Sequence, residues 1–327
     1  MRFIARTVDM RFYGRLLLCA ALILASACQS SGPADEQPRV GLVMKSLANE
    51  FFLEMERGAR EHHAKHRDRY ELLASGIKDE LDVAAQINLV EQLIAQRVQA
   101  IVLAPADSKA LIAVVKRALD SGVVVVNIDN KLDAGVLWER GIRVPFVGPD
   151  NRKGAQRTAE VLTRSLPEGT PVAIIEGVPT AFNGVQRRRG FEDAVREAKL
   201  RLVATQAGDW DTGKANQVAS AIIAEHPEVK ALLCANDNMA LGAVAAVRAA
   251  GKERDIQIVG FDNISAVRDL VKSGRVAATA DQHAGELAVF GIEYALEILR
   301  TKKTPADRET PVDIITRQSL VTAPPGS

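Results

Sequence analysis

From Val40 onward, short β-branched and aliphatic runs alternate with longer amphipathic segments along most of the 327-residue chain. The runs are VGLVM (40–44), YELLAS (70–75), AIVLAP (100–105), VVVVNID (123–129), VPFVG (144–148), PVAIIEG (171–177), RLVATQAG (201–208), ALLCAND (231–237), IQIVGFD (256–262) and VAATADQ (276–282). Most are continuously apolar rather than alternating, as strands buried on both faces of a parallel sheet must be. Between them, helical periodicity runs over 50–66, 80–96, 108–119, 152–165, 185–199, 212–225, 238–250, 264–272 and 283–300. Regular strand–helix alternation predicts an α/β fold. Ten strands exceed one modest sheet, so the pattern predicts two doubly wound α/β lobes.

The apolar run at 16–28 (LLLCAALILASAC) is different in kind. It follows Arg2, Arg6, Arg11 and Arg15, is too short to span a bilayer, and ends in small residues before Cys28. This is the layout of a cleaved lipoprotein signal (1–27), with Leu24-Ala25-Ser26-Ala27-Cys28 as the processing site and the Cys28 thiol as the lipid acceptor. Translation starting at Met1 or at Met10 gives the same layout, and an ordinary export signal with a chance cysteine is the alternative. The polar stretch 28–38 reads as a tether. The reading places the protein outside the cytoplasm, in the periplasm or beyond, anchored to a membrane by lipid alone.

Removing the four arginines and one aspartate of residues 1–27 from the 42 basic and 41 acidic residues leaves a balance of −2, well mixed along the chain. That is no footprint for nucleic acid and no polybasic membrane patch. Beyond Cys28 the chain has one cysteine, Cys234, in an apolar run; it cannot form an internal disulfide and reads as a buried core residue. GxGxxG, a phosphate loop, CxxC, HExxH and GxSxG are all missing, so neither a cofactor nor a metal is implied and the chain does not read as an enzyme. His62, His63, His66 and His226 stand among charged neighbours and read as solvated surface residues.

In open α/β sheets ligands bind beyond the carboxyl ends of the strands. Those ends carry Lys45 to Phe52, Asn127-Ile128-Asp129-Asn130, Asp150-Asn151, Asp209-Trp210-Asp211, Asn236-Asp237-Asn238, Asp262-Asn263 and Asp281-Gln282. Carboxylates accept from hydroxyls, and amides both donate and accept. Aromatic faces cover the C–H surface of a sugar ring, and Phe51, Phe52 and Trp210 all fall at strand ends in a chain that is 4% aromatic. The competing reading is that these Asn and Asp residues cap the following helices and the aromatics fill the core.

The segments ANEFF (48–52), VVNIDN (125–130), RRRGF (187–191), ANDNMALGA (235–243), VGFDN (259–263) and VAATADQ (276–282) resemble the periplasmic sugar-binding proteins of ABC importers, ribose-binding type, over about residues 38–318. The resemblance implies a first lobe of 39–147 and 283–307, a second of 148–282 and 308–322, and closure of the lobes on a sugar. It implies that Asn49, Phe51 and Phe52 reach the ligand from the first lobe. Phe52 and Trp210 sandwich the ring, and Asp129, Asn130, Asn236, Asp262 and Gln282 serve as polar contacts. Lys45, Asn183 and Arg187 are further candidates, whereas Asp209 points elsewhere. Asn130 stands where ribose binders carry an arginine, Val185 where they carry another, Ala104 where they have asparagine, and Lys45 where a small hydroxyl residue is usual. Loss of two rigid guanidinium forks argues against ribose itself.

The expected partners are a small sugar or polyol and, through the closed form, an ABC permease with its ATPase; the carrier is expected to be a monomer. A sensor presenting its sugar to a membrane receptor shares every one of these residues and remains open. A repressor built on the same core needs a helix-turn-helix where this chain has its signal and tether.

Overall fold

The computed structural model describes residues 37–322, so Cys28 and the signal lie outside the described residues. The first sheet is built from β1 (Arg39–Ser46), β2 (Glu71–Ile77), β3 (Ala100–Leu103), β4 (Val124–Ile128) and β5 (Phe146–Pro149). Its helices are α1 (Glu50–Lys65), α2 (Val83–Ala95), α3 (Ile112–Asp120) and α4 (Ala134–Glu139). The second lobe runs α5 (Asn151–Thr163), β6 (Pro171–Glu176), α6 (Phe182–Glu197), β7 (Arg201–Ala207), α7 (Thr212–Glu225), β8 (Ala231–Cys234), α8 (Asp237–Ala249), β9 (Gln257–Val259), α9 (Ser265–Ser273) and β10 (Ala278–Asp281). The chain then continues through α10 (Ala284–Thr301), β11 (Arg308–Thr310), β12 (Asp313–Thr316) and α11 (Arg317–Thr322).

The strand orders are β11-β5-β4-β3-β1-β2 and β12-β10-β9-β8-β6-β7. Both sheets therefore share one doubly wound plan, with the order reversing beside β1 and beside β6, where ligand sites form. All pairings are parallel except β10 with β12. The central strands are wholly buried, Ala-Ile-Val-Leu in β3 and Ala-Leu-Leu-Cys in β8, which is why they read as continuous apolar runs. Cys234 is buried and free.

The chain passes between the sheets three times. It leaves the first after β5, returns at α10, which packs on α1 and β4, and leaves again between β11 and β12. Residues 308–310, expected in the second lobe, pair instead with β5, and the chain rejoins the second sheet at β12. The crossings lie side by side: Thr310 pairs with Pro149, Asp281 pairs with Asp313, and His283 Nε2 lies 3.0 Å from Asp313 Oδ2. Hydrogen bonds also join the lobes across the cleft. Ser265 donates its amide (2.8 Å) and hydroxyl (2.9 Å) to the Glu50 carboxylate, and the Phe182 amide donates to Ser108 Oγ at 2.9 Å.

His62 corrects the surface reading of the histidines. Its side chain is only 11% exposed, bonded to the Tyr70 hydroxyl (2.8 Å) and Glu293 (3.0 Å), so it ties α1 to α10. Burial is the largest influence on its pKa, which lies below the ordinary histidine value.

Helix pairs meet at glycines. A Cβ on Gly190 would stand 2.1 Å from the Arg152 carbonyl oxygen where α6 crosses α5, and one on Gly242 would stand 2.2 Å from the Thr212 carbonyl where α8 crosses α7. The obstructing atoms are backbone and cannot swing aside. Gly190→Ala is expected to lower stability by about 1–3 kcal/mol through overpacking, despite roughly 1 kcal/mol of gained helix propensity. A urea titration showing an unchanged or higher midpoint would refute this account of the crossing.

Candidate functional site

Twelve residues from the carboxyl ends of both sheets converge between the lobes: Lys45, Asn49, Phe51, Phe52, Glu80 and Asp129 from the first sheet's loops, with Asn183, Arg187, Trp210, Asn236, Asp262 and Gln282 opposite. The walls are drawn together, and the free cavity among them is about 10 Å³, room for about one water. Open grooves of about 780 Å³ (sharing Phe51 and Asp262) and about 440 Å³ (sharing Asn49, Glu80 and Trp210) flank it.

Local backbone geometry aims these side chains. Asp129 (φ 60°), Trp210 (φ 67°) and Asp262 (φ 124°) all adopt positive φ, which turns each out of its strand direction. Such conformations cost on the order of 1–3 kcal/mol each and need surrounding contacts to hold them. At Trp210 the ring lies over Gly177, where a Cβ would come within 2.0 Å of it. At Asp262 the support is Asp237. Its carboxylate accepts from Thr279 Oγ1 (2.8 Å) and the Ile264 amide (3.0 Å), while Thr279 Oγ1 accepts the Asn263 amide at 3.2 Å.

Asn49 and Asn236 both cap a helix and line the cavity. Asn49 Oδ1 accepts the Phe51 amide and caps α1, and Asn236 Oδ1 accepts the Met239 amide and caps α8. Their side-chain amino groups remain as donors at the cavity, although that of Asn49 already reaches Glu80 Oε1 at 3.1 Å.

Charge in the site is paired internally. Lys45 Nζ stands 3.2 Å from Asp129 and 3.6 Å from Glu80, and 5.3 and 5.8 Å from the ring centres of Phe52 and Trp210. Burial alone would lower the Lys45 pKa, but Asp129 and Glu80 outweigh it and hold the ammonium above its ordinary value. Arg187 donates to Asn151 Oδ1 (2.8 Å) and the Ala235 carbonyl (3.0 Å), lies 3.4 Å from Asp262, and stacks 3.9 Å from the Phe261 ring centre. Gln282 Nε2 donates to Asp262 Oδ1 at 2.7 Å. Burial pushes the Asp262 carboxyl well up, against the pull of Arg187. One buried acceptor at the cavity, Gln282 Oε1, has no hydrogen-bond donor among the described residues, and Asp129 Oδ2 is met only by the Lys45 ammonium at 3.2 Å.

Eleven of the twelve residues that the sequence offers as contacts or further candidates line this cavity; Asn130 does not. Its Nδ2 donates to the Pro105 carbonyl (2.9 Å) and its Oδ1 accepts the Asn183 amide (3.1 Å), so it fastens one lobe to the other. Asp209 pairs with Lys214 outside the cavity, as its expected orientation requires. Glu80 is the residue sequence reading missed. It sits after β2, at the first position of the helical periodicity read over 80–96, whereas the helix itself begins at Val83 and leaves Glu80 in the turn facing the cavity. Charged groups, both hydrogen-bonding polarities and aromatic faces in one enclosed space suit a small, uncharged, polar ring. Among the described residues no cluster of metal-ligating side chains occurs.

Residues 40–303 match the periplasmic binding protein domain family. The chain is 53% identical over 305 residues to the D-ribose/D-allose-binding protein of Pseudomonas aeruginosa, covering 92% of this chain and 95% of that one. It is 34% identical over 271 residues to the D-allose-binding periplasmic protein of Escherichia coli, covering 82% and 86%. A crystal structure of an ABC transporter solute-binding protein from Burkholderia multivorans superimposes with a TM-score of 0.84 at 54% identity, covering 86% of this chain and 99% of that one. One from Actinobacillus succinogenes with bound D-allose gives 0.82 at 32% identity, covering 88% and 100%.

The Asp237 network gives a pH test. Burial pushes this carboxyl up to about 7, against its hydrogen bonds to Thr279 and Ile264. A folded-state pKa above the unfolded value near 4 means the native state keeps a proton that the unfolded chain releases. The contribution is full below about pH 4 and lost as pH rises through about 7, by up to about 4 kcal/mol. Asp237→Asn is therefore expected to flatten the fall in melting temperature between pH 4 and 8. An identical pH profile in wild type and variant would refute it.

Proposed function

The chain belongs to the periplasmic binding protein family, as an extracytoplasmic, non-catalytic solute-binding protein of an ABC importer that holds a monosaccharide between its lobes, and we propose that this sugar is D-allose or D-ribose. Gln282 Oε1, a buried acceptor without a donor, carries the reading together with Asp129 Oδ2, which is met only by the Lys45 ammonium at 3.2 Å; spare acceptor capacity on two sides of one cavity suits ligand hydroxyls. Asp262, Asn236, Asn49 and Lys45 complete the polar set. Phe52 and Trp210 cover the ring faces, with Phe51 behind Phe52 in an edge-on contact of 5.0 Å. Arg187 supports Asp262, and Asn183 lies at the cavity's edge. The P. aeruginosa relative is a D-ribose/D-allose binder and the A. succinogenes protein holds D-allose. The two sugars share their hydroxyl configuration at C2, C3 and C4, so one acceptor set serves both. The sequence argument against ribose from missing guanidiniums is thus met by Lys45, an alternative donor. We take the lobes as 38–149 with 283–310 and 150–282 with 311–322, following the sheets.

Calorimetric titration tests the ligand. D-allose is expected to bind more tightly than D-glucose, its C3 epimer. Asp262→Ala is expected to weaken D-allose or D-ribose binding by roughly tenfold to a hundredfold, the worth of a hydrogen bond to a charged group, and Trp210→Ala by a similar factor through lost ring burial. Asp209→Ala should bind as wild type does. Full affinity in both folded site variants would place the ligand elsewhere.

We propose further that Cys28 carries a lipid. The support is the apolar run ending Leu24-Ala25-Ser26-Ala27 before it. In cells fed a clickable fatty acid the wild-type protein should label and Cys28→Ala should not; labelling of the variant would reject the anchor.

A further inference from the structure

Glu80 is a buried carboxylate that no ligand argument required, held at the site by a rigid turn. Asp79 Oδ1 accepts the Leu81 amide (2.8 Å), the Asp82 amide returns to the Asp79 carbonyl (3.0 Å), and Asp82 caps α2 through the Ala85 amide (2.9 Å). Ser46 Oγ, at the end of β1, donates to the Lys78 carbonyl at 2.6 Å, fastening the turn to the strand that carries Lys45. From this platform Glu80 Oε1 takes the Asn49 amide at 3.1 Å and Oε2 faces Lys45 Nζ at 3.6 Å.

We propose that Glu80 is a positioning and specificity-determining residue that converts Lys45 from a counter-ion into a hydroxyl donor for an uncharged sugar. The inference rests on the sugar reading above. A lone buried ammonium would draw Asp129 fully to itself or select an anionic ligand. With Glu80 present Lys45 is shared between two carboxylates, and Asp129 Oδ2, whose one partner is Nζ at 3.2 Å, keeps acceptor capacity for a ligand. The lining then holds two cations, Lys45 and Arg187, against three carboxylates, Glu80, Asp129 and Asp262. A sugar acid would add a fourth carboxyl group to a buried space that already holds more of them than cations. The aromatic rings on either side of Nζ leave its N–H groups little freedom, so Glu80 also sets their direction.

The experiment is a double-mutant cycle, Lys45→Met, Glu80→Gln and the pair, read by calorimetry with D-allose, D-ribose and the uronate of D-allose, alongside melting temperatures. Wild type is titrated first: failure to bind either neutral sugar rejects the sugar reading and this assignment with it. Given wild-type binding, Glu80→Gln should weaken D-allose binding about tenfold or more and reduce discrimination against the uronate by a similar factor. Because Glu80 acts through Lys45, the pair should bind within about threefold of Lys45→Met alone, the mark of coupled residues. The pair should also melt higher than Glu80→Gln, which leaves a buried cation short of a partner. Should Glu80→Gln fail to fold, Lys45→Met/Glu80→Met, which removes both charges, carries the same comparison with Lys45→Met. Losses that multiply in the pair, or a Glu80→Gln protein with wild-type affinity and an unchanged neutral-to-acid ratio, would overturn the assignment while leaving the sugar reading intact.

Discussion

A guanidinium buried to 2% exposure must be satisfied on every side, and the second lobe is organised around that requirement. Arg187 projects from α6 and reaches three other chain segments at once: Asn151 at the start of α5, the carbonyl of Ala235 after β8, and Asp262 after β9. It lies flat on Phe261 and within 5.6 Å of the Trp210 ring centre. One cation thereby sets the relative positions of four strand ends. Asp262 is kept at the cavity in a strained conformation because Arg187 and Gln282 hold its carboxylate and Asp237 and Thr279 hold the turn behind it. Removing the charge would leave a carboxylate uncompensated in a space with little water, a larger loss than any one hydrogen bond.

The first lobe solves a similar problem without a hub. One cation, Lys45, is shared between two carboxylates, Asp129 and Glu80, in pairs that are close but imperfect, at 3.2 and 3.6 Å. Such pairing outweighs burial at Lys45 but not at Glu80, whose carboxyl is still pushed up by burial, and it leaves acceptor capacity unused.

Much of this was legible in the chain because buried parallel strands write themselves as unbroken apolar runs, and the polar residues directly after them have few places to point. Asn49 and Asn236 show why capping a helix and facing the cleft are not alternatives: one amide has an oxygen for the helix and a nitrogen for the cavity. What was not legible depended on local backbone turns. Asp129 sits at φ 60°, so its neighbour Asn130 is swung away from the cavity and into a bond between the lobes, although adjacency suggested a shared role. Glu80 lay in an acidic stretch whose neighbours, Asp79 and Asp82, spend their carboxylates on the turn itself. Arg308–Thr310 is too short for periodicity to register, and its pairing with β5 is a tertiary fact. His62 looked solvated because its covering partners, Tyr70 and Glu293, are eight and more than two hundred residues away.

The three crossings between the lobes are laced edge to edge, Thr310 beside Pro149 and Asp281 beside Asp313. One linker would let the lobes swing and twist independently; three joined strips resist twist and shear and yield mainly by bending across their width. The lobes then share a single degree of freedom, an angle. Whatever occupies the cleft, a membrane partner inspecting the outer surface reads only that angle. Chemical identity is compressed into one number at the hinge, so discrimination between similar ligands has to be completed inside the cavity, before the message is sent.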